Sequence, residues 1–227
     1  MRKAKVLTAV TLALILTASI TVIASWDYTR DFSDSLGDGK CALGFTDILA
    51  VGYGFNVTHV GFNITVTGNI PLPSEATYFY GVLIDSDNDS STGLEHWTGI
   101  GADYLLEAYI DGTTVSSPVV KLYKYVGGGS TWDWEEAGSA EVSASVYAKT
   151  VLNDTLEVVV GKNYLTPLAG EISFTVYISN DTARCDYVSV KPGSGGPVPI
   201  PEPALLVAAP VIVVVSAILL LFTRDRL

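Results

Sequence analysis

The segment "HVGFNITVTG" (His59–Gly68) decides the fold. Its Val60, Phe62, Ile64 and Val66 alternate with small or polar residues, so an apolar side chain recurs at every second position. Successive side chains of a strand point to opposite faces, whereas a helix would scatter these four around its circumference. They are therefore predicted to line the buried face of a strand. Just upstream, "TDILAVGYGF" (46–55) is a second such run, and "NVT" (56–58) between them has turn chemistry. The pair is expected to close a hairpin.

Working outward, the same period returns in "TYFYGVLID", "GADYLLEAYI", "VVKLYKYV", "AEVSASVYA", "TLEVVVG", "ISFTVYIS" and "DYVSV", each bounded by Gly, Asn, Asp or Ser. No stretch sustains a 3.6-residue apolar period over three turns; at most "KNYLTP" (162–167) reads as one helical turn. About nine short strands with turns between them predict an all-β fold, an antiparallel two-sheet β-sandwich spanning residues 26–190.

The ends are different material. Residues 1–25 combine a basic start, an apolar run and small residues before Trp26, as a secretory signal peptide does; an uncleaved N-terminal anchor is the alternative. Residues 191–203, rich in Pro and Gly, predict a semi-extended stalk. Residues 204–222 carry no charge and have about the length needed to cross a bilayer, so a transmembrane helix is expected there, with 223–227 as a cytoplasmic tail set by Arg224 and Arg226. These features place the domain on the extracellular face of the membrane.

Charge narrows the partners. Residues 26–199 hold 8 Lys and Arg against 22 Asp and Glu, a formal charge of −14, which repels nucleic acid and favours cations. Cys41 and Cys185 are the only cysteines, and an even pair in an exported chain reads first as a disulfide, with two buried thiols as the alternative. Asn56, Asn63, Asn88, Asn153 and Asn180 all stand in N-x-Ser/Thr context, five of seven asparagines, which points to a glycoprotein.

Between two of the predicted strands lies "DSDNDSSTG" (85–93), with Asp103 just beyond. Carboxylates at alternate positions repel one another unless a cation sits among them, and hard divalent ions take several oxygen ligands. Asp85, Asp87, Asp89 and Asp103 are the candidate calcium ligands, with Glu107 a weaker one; a solvated acidic turn is the alternative. The spacing is not that of an EF-hand, since Ser90 stands at the turn glycine and His96 at the bidentate glutamate. A second group, Asp27, Asp31, Asp34 and Asp38, reads as a polar lead-in to the first strand or as another ion site.

Trp97, Trp132 and Trp134 lie in or beside loops, where aromatic faces could stack on sugar rings or simply pack against the sandwich. Trp132 and Trp134 would share a face if "TWDWEE" is a strand. Catalysis has little support: there are two His, and HExxH, GxSxG and Gly-rich phosphate loops are all lacking. A carboxylate-based glycoside hydrolase is a remote alternative.

The D-x-D-N-x-x-x-T-G loop at Asp85–Gly93 and the G-A-D-Y strand start at Gly101–Tyr104, together with the strands around them, resemble extracellular sandwiches of the DOMON and family-9 carbohydrate-binding type over most of residues 31–165. The resemblance implies a jelly-roll-like sandwich, often with bound calcium, that binds sugars or other ligands at the cell surface. Haem-binding DOMON members use Met and His ligands, and the single Met here is the initiator. The C-terminal "PIPEP", apolar run and arginines look like a PEP-CTERM sorting signal of the kind cut by exosortase or archaeosortase transpeptidases; a retained single-span anchor is the alternative. The function expected is thus a surface-anchored, calcium-stabilised binding module for carbohydrate or an envelope ligand. A self-associating envelope or filament subunit is the second possibility.

Overall fold

The computed structural model describes residues 27–95, 99–114, 118–137, 146–190 and 198–199, with backbone alone for 27–31, 146–152 and 198–199. The predicted signal peptide, transmembrane helix, tail and most of the stalk lie outside the described residues, as does Trp97.

Two antiparallel sheets carry the domain. The first has five strands, β1 (Asp27–Ser33), β2 (Ile48–Phe55), β3 (His59–Val66), β10 (Val146–Leu152) and β11 (Thr155–Gly161), in the order β1-β2-β3-β11-β10. The second contains β4 (Tyr78–Asp85), β7 (Tyr104–Ile110), β8 (Val119–Tyr125), β9 (Trp134–Glu136), β12 (Glu171–Asn180) and β13 (Arg184–Val190), in the order β13-β12-β4-β7-β8-β9. The two-residue strand β14 (Val198–Pro199), inside the predicted stalk, pairs with Glu171 and Ile172 of β12. A small ladder, β5 (Leu94–Glu95) with β6 (Gly101–Ala102), stands apart. The neighbours β3 and β11 of one sheet lead directly into the neighbours β4 and β12 of the other, so one antiparallel ribbon wraps across both layers.

Alternation sets the inner faces. Val60, Phe62, Ile64 and Val66 of β3 are all at most 1% exposed, as the opening segment predicts. They meet Tyr80, Val82 and Ile84 of β4 and Phe174, Val176 and Ile178 of β12 in one core. Phe174 lies between Phe62 and Tyr53 of the opposite sheet, with ring centroids 5.1 and 5.7 Å away. Rings at those separations interlock the two layers beyond what buried area alone supplies. In β2 the buried set shifts from Ile48 to Val51 and Tyr53, a change of phase, and the register with β3 slips between Ile48 and Ala50 to allow it.

Cys41 and Cys185 form a disulfide across a sequence separation of 144 residues. Beside it the Lys40 N–H donates to the Cys185 carbonyl at 2.7 Å, so the segment after β1 is fastened to the start of β13. A single turn of 3-10 helix at Lys162–Tyr164 occupies the position where one helical turn is expected.

Candidate functional site

Most sandwich sheets leave their outer face to water, but here part of the seven-stranded sheet's outer face is covered. Leu83 of β4, Leu105 of β7 and Tyr177 of β12 point away from the main core and pack with Leu94, Ile100 and Ala102 into a second apolar cluster. The described parts of the acidic excursion, 86–95 and 99–103, are therefore folded down onto the sheet by their own apolar residues. Gly93 (φ +64) and Gly101 allow this: a Cβ on Gly93 would lie 2.5 Å from the Ala102 carbonyl oxygen, and one on Gly101 would strike the Thr92 carbonyl.

At the sheet end of that excursion, carboxylate oxygens of Asp85, Asp87 and Asp103 all lie within 4.8 Å of one another. Asp85 is 2% exposed. Burial first, then the charges of Asp103 and Asp87, push its carboxyl up to about 7. Burial also raises Asp103, against hydrogen bonds from the Ser86 N–H and hydroxyl at 2.9 and 2.8 Å that favour its charged form. Asp89 does not join the group. Its own carboxylate is turned back to the Ser91 N–H and hydroxyl, at 3.0 and 2.6 Å, which lowers its pKa. What Asp89 contributes is a backbone N–H, donated to Asp85 at 3.1 Å and to Asp87 at 3.0 Å. Asn88, at φ +56, accepts from the Ser173 hydroxyl at 2.8 Å and pins the loop tip to β12.

Ions of calcium's class hold carboxylate oxygens at about 2.3–2.6 Å, so two ligands of one ion stand at most about 5 Å apart. The Asp85, Asp87 and Asp103 oxygens meet that limit. The donor set is all carboxylate oxygen, and the two neighbours that raise Asp85 by their charge are both acidic, a repulsion that a cation among them would relieve. These residues thus fit a hard divalent cation.

A groove of about 480 Å³ opens on the same face, lined by Phe79, Glu107, Trp132, Tyr177, Asn180 and Arg184 among others. Gly81 shapes its floor. Tyr177, Gly81 and Glu107 sit side by side on β12, β4 and β7, and a Cβ on Gly81 would run into the Tyr177 ring. The ring therefore lies across the glycine, and its hydroxyl donates to Glu107 Oε1 at 2.8 Å. Burial raises the Glu107 carboxyl while this bond opposes the shift. Glu107, the weaker calcium candidate from sequence, accordingly belongs to the groove and not to the acidic group. Trp132, 48% exposed, stands at 6.3 Å from the Tyr177 ring and 5.5 Å from that of Trp134. Trp134 is turned inward against Tyr125 at 5.3 Å. The two tryptophans do not share a strand face, because β9 begins only at Trp134.

The acidic group and the groove are joined through backbone. Glu95 of β5 donates to the Gly129 carbonyl at 3.0 Å, Tyr125 N–H donates to the Asp103 carbonyl at 2.8 Å, and the Tyr125 hydroxyl also reaches Gly129, at 2.9 Å. The loop that carries Trp132 is thus tied to the excursion that carries the carboxylates.

Of the second acidic group read from sequence, Asp34 and Asp38 come together with Asp186 of β13, a residue that the local pattern does not supply. Asp27 and Asp31 lie on β1, where only the backbone is described. Asp186 accepts from the Ile48 N–H at 2.7 Å and the Tyr187 N–H at 2.8 Å. The five N-x-Ser/Thr asparagines are scattered: Asn56 and Asn180 head hairpin tips, Asn153 is exposed in the β10–β11 turn, Asn88 is in the acidic loop and Asn63 is mid-strand in β3, between β2 and β11. Compared with protein-family models, curated proteins and solved structures, the chain matches none of them.

Proposed function

We propose that this domain is a non-catalytic, calcium-stabilised carbohydrate-binding module, held at the cell surface by the C-terminal segment and exported by the N-terminal one. The observation that carries the reading is the groove beside Trp132, where an exposed indole and the Phe79 ring face polar groups of Glu107, Asn180 and Arg184. Sugars present apolar C–H faces and hydroxyl edges at once, so an aromatic wall with a few fixed donors and acceptors suits them. Glu107, held by Tyr177, is the acceptor for ligand hydroxyls, and Arg184, stacked 4.7 Å over Tyr187, is the donor.

Asp85, Asp87 and Asp103 would hold the calcium ion, whose charge offsets their mutual repulsion. Its part in binding is indirect: the Glu95–Gly129 and Tyr125–Asp103 bonds transmit the set of the acidic excursion to the Trp132 loop. The Cys41–Cys185 disulfide supports an oxidising, extracellular location. The ribbon that wraps β3/β11 into β4/β12 supports the jelly-roll-like form of the sandwich.

The test is a glycan array followed by calorimetry, in calcium, on the chain produced in a host that attaches no N-linked sugar, beside Trp132→Ala made in the same host. Saturable binding of at least one glycan, lost in Trp132→Ala with thermal stability kept, is the expected result. No glycan bound by the wild type, or binding indifferent to Trp132, would overturn the proposal.

A further inference from the structure

Asn180 stands in two structural roles at once. It lines the groove, and it opens the hairpin turn Asn180-Asp181-Thr182-Ala183 between β12 and β13. Its Oδ1 accepts from the Thr182 N–H at 3.0 Å, the Thr182 hydroxyl at 2.8 Å and the Ala183 N–H at 2.9 Å. All three bonds end on the carbonyl oxygen, so the side-chain nitrogen Nδ2, the atom that carries an N-linked sugar, is left out of the turn's bonding. Asn56 shows the same turn, with its Oδ1 taken by the Thr58 N–H and hydroxyl and by the His59 N–H, but it heads the β2–β3 hairpin of the other sheet and is not among the groove's residues. Asn88 is committed to Ser173 inside the acidic loop, and Asn63 lies within a strand paired on both sides. Of the five acceptor triplets, Asn180 is the one that borders the aromatic groove.

Resting on the sugar-binding reading of that groove, we propose that Asn180 carries an N-linked glycan that lies in the groove against Trp132, so that modification of this one residue closes the site to other sugars. The co-reactant is an activated oligosaccharide on a phospholipid carrier. Nδ2 bonds to the sugar C1, the bond from C1 to the carrier phosphate oxygen breaks, the carrier leaves as its phosphate anion, and Nδ2 gives one proton to a base of the transferase. The chemistry that would hold a free glycan then holds the attached one, at the high effective concentration of a tethered ligand. A groove of about 480 Å³ is within the ordinary span of about 300–1,000 Å³ for small-molecule sites.

The experiment uses the full chain purified from its native membranes, with Thr182→Ala and Asn180→Gln as two independent ways of removing the acceptor and Asn56→Gln as a control. Peptide mass mapping reads occupancy at Asn180, quenching of indole fluorescence reads cover over Trp132 with Trp132→Phe as the blank, and a glycan array reads whether the groove is open. The expected result is a modified Asn180 in the native chain, a Trp132 protected from quencher, loss of that protection in both acceptor variants but not in Asn56→Gln, and gain of array binding in Thr182→Ala, which leaves the Asn180 side chain in the groove. An unmodified Asn180 in the native chain, or a modified one that leaves Trp132 as open to quencher as in Thr182→Ala, overturns the inference. If instead removal of the glycan uncovers Trp132 but no array sugar then binds, the glycan's place in the groove stands and the sugar-receptor reading falls.

Discussion

The acidic group of Asp85, Asp87 and Asp103 grows out of one excursion between β4 and β7, whereas that of Asp34, Asp38 and Asp186 joins the two ends of the domain. In the first, the carboxylates face one another at the base of a loop folded over the sheet by Leu94 and Ile100. In the second, the disulfide lies next door, at Cys185, and Asp186 is already engaged by the backbone amides of Ile48 and Tyr187. Lys40 and Arg184 line the same recess as this second group. Equal composition thus serves different ends. One cluster is left with like charge concentrated on a buried carboxylate, while the other fastens chain ends and has cationic side chains close by.

The largest expected effect separates them through the cross-link. Replacing both cysteines, Cys41→Ser with Cys185→Ser, should cost about 2–5 kcal/mol in denaturant unfolding, because the bridge closes a long loop. The calcium response of the loop cluster should survive in this variant, since among the described residues the bridge packs on the main core while Leu94, Ile100 and Ala102 of the excursion belong to the other cluster. A loss under about 1 kcal/mol would show that the backbone bonds hold the ends without it.

Next in size is the response to the ion. Calcium at a hundredfold its dissociation constant stabilises a folded site by about 2.7 kcal/mol, a rise of roughly 5–10 °C in melting temperature for a domain of this size. The rise should disappear on chelation and in Asp87→Asn, and persist in Asp38→Asn. A melting temperature indifferent to both calcium and chelator would remove the ion from the loop cluster and leave the two groups alike.

Much of this contrast can be traced to how far each feature lies from itself along the chain. Asp85-x-Asp87 and the Asp103 strand start are local, and the pairing of Ile84 with Tyr104 brings them together, so the loop cluster is visible as spacing. Asp89 has the same spacing but is held by the Ser91 N–H and hydroxyl, whereas Asp87, which accepts the matching Asp89 N–H, still faces Asp85 and Asp103, so local bonding alone does not mark which of the two joins the group. The core strands are legible chiefly from β3, where Val60 to Val66 alternate without interruption, while β2 changes phase and β11 is buried throughout. β1 is not, since Asp27–Ser33 reads as mostly polar, with Phe32 the residue described as packing on the core. Asp186, Tyr177 and Arg184 are not legible for another reason: their partners are fixed by which strands lie beside β4 and β12. The order of strands in a sheet leaves no periodic mark in sequence.

The smallest effect tests the compensation in the second cluster. Burial, with further contributions from Asp186, Asp38 and Asp47, lifts the Asp34 carboxyl from its ordinary value to about 6, and its Oδ2 is buried without a hydrogen-bond partner. A carboxyl whose pKa is higher folded than unfolded retains a proton that the unfolded chain has already released. Folding is then favoured by that proton below about pH 4, and the advantage is lost as pH rises through 4 to 6. Asp34→Asn, which stays neutral throughout, should flatten this part of the stability profile and should be more stable relative to wild type at pH 7 than at pH 4. The side chain is partly solvated, so the difference will be small, and melting curves at both pH values in chelator will read it free of any ion at the loop cluster. An equal offset at the two pH values would mean that Lys40 and Arg184 already neutralise Asp34, and the contrast between the clusters would then rest on charge balance alone.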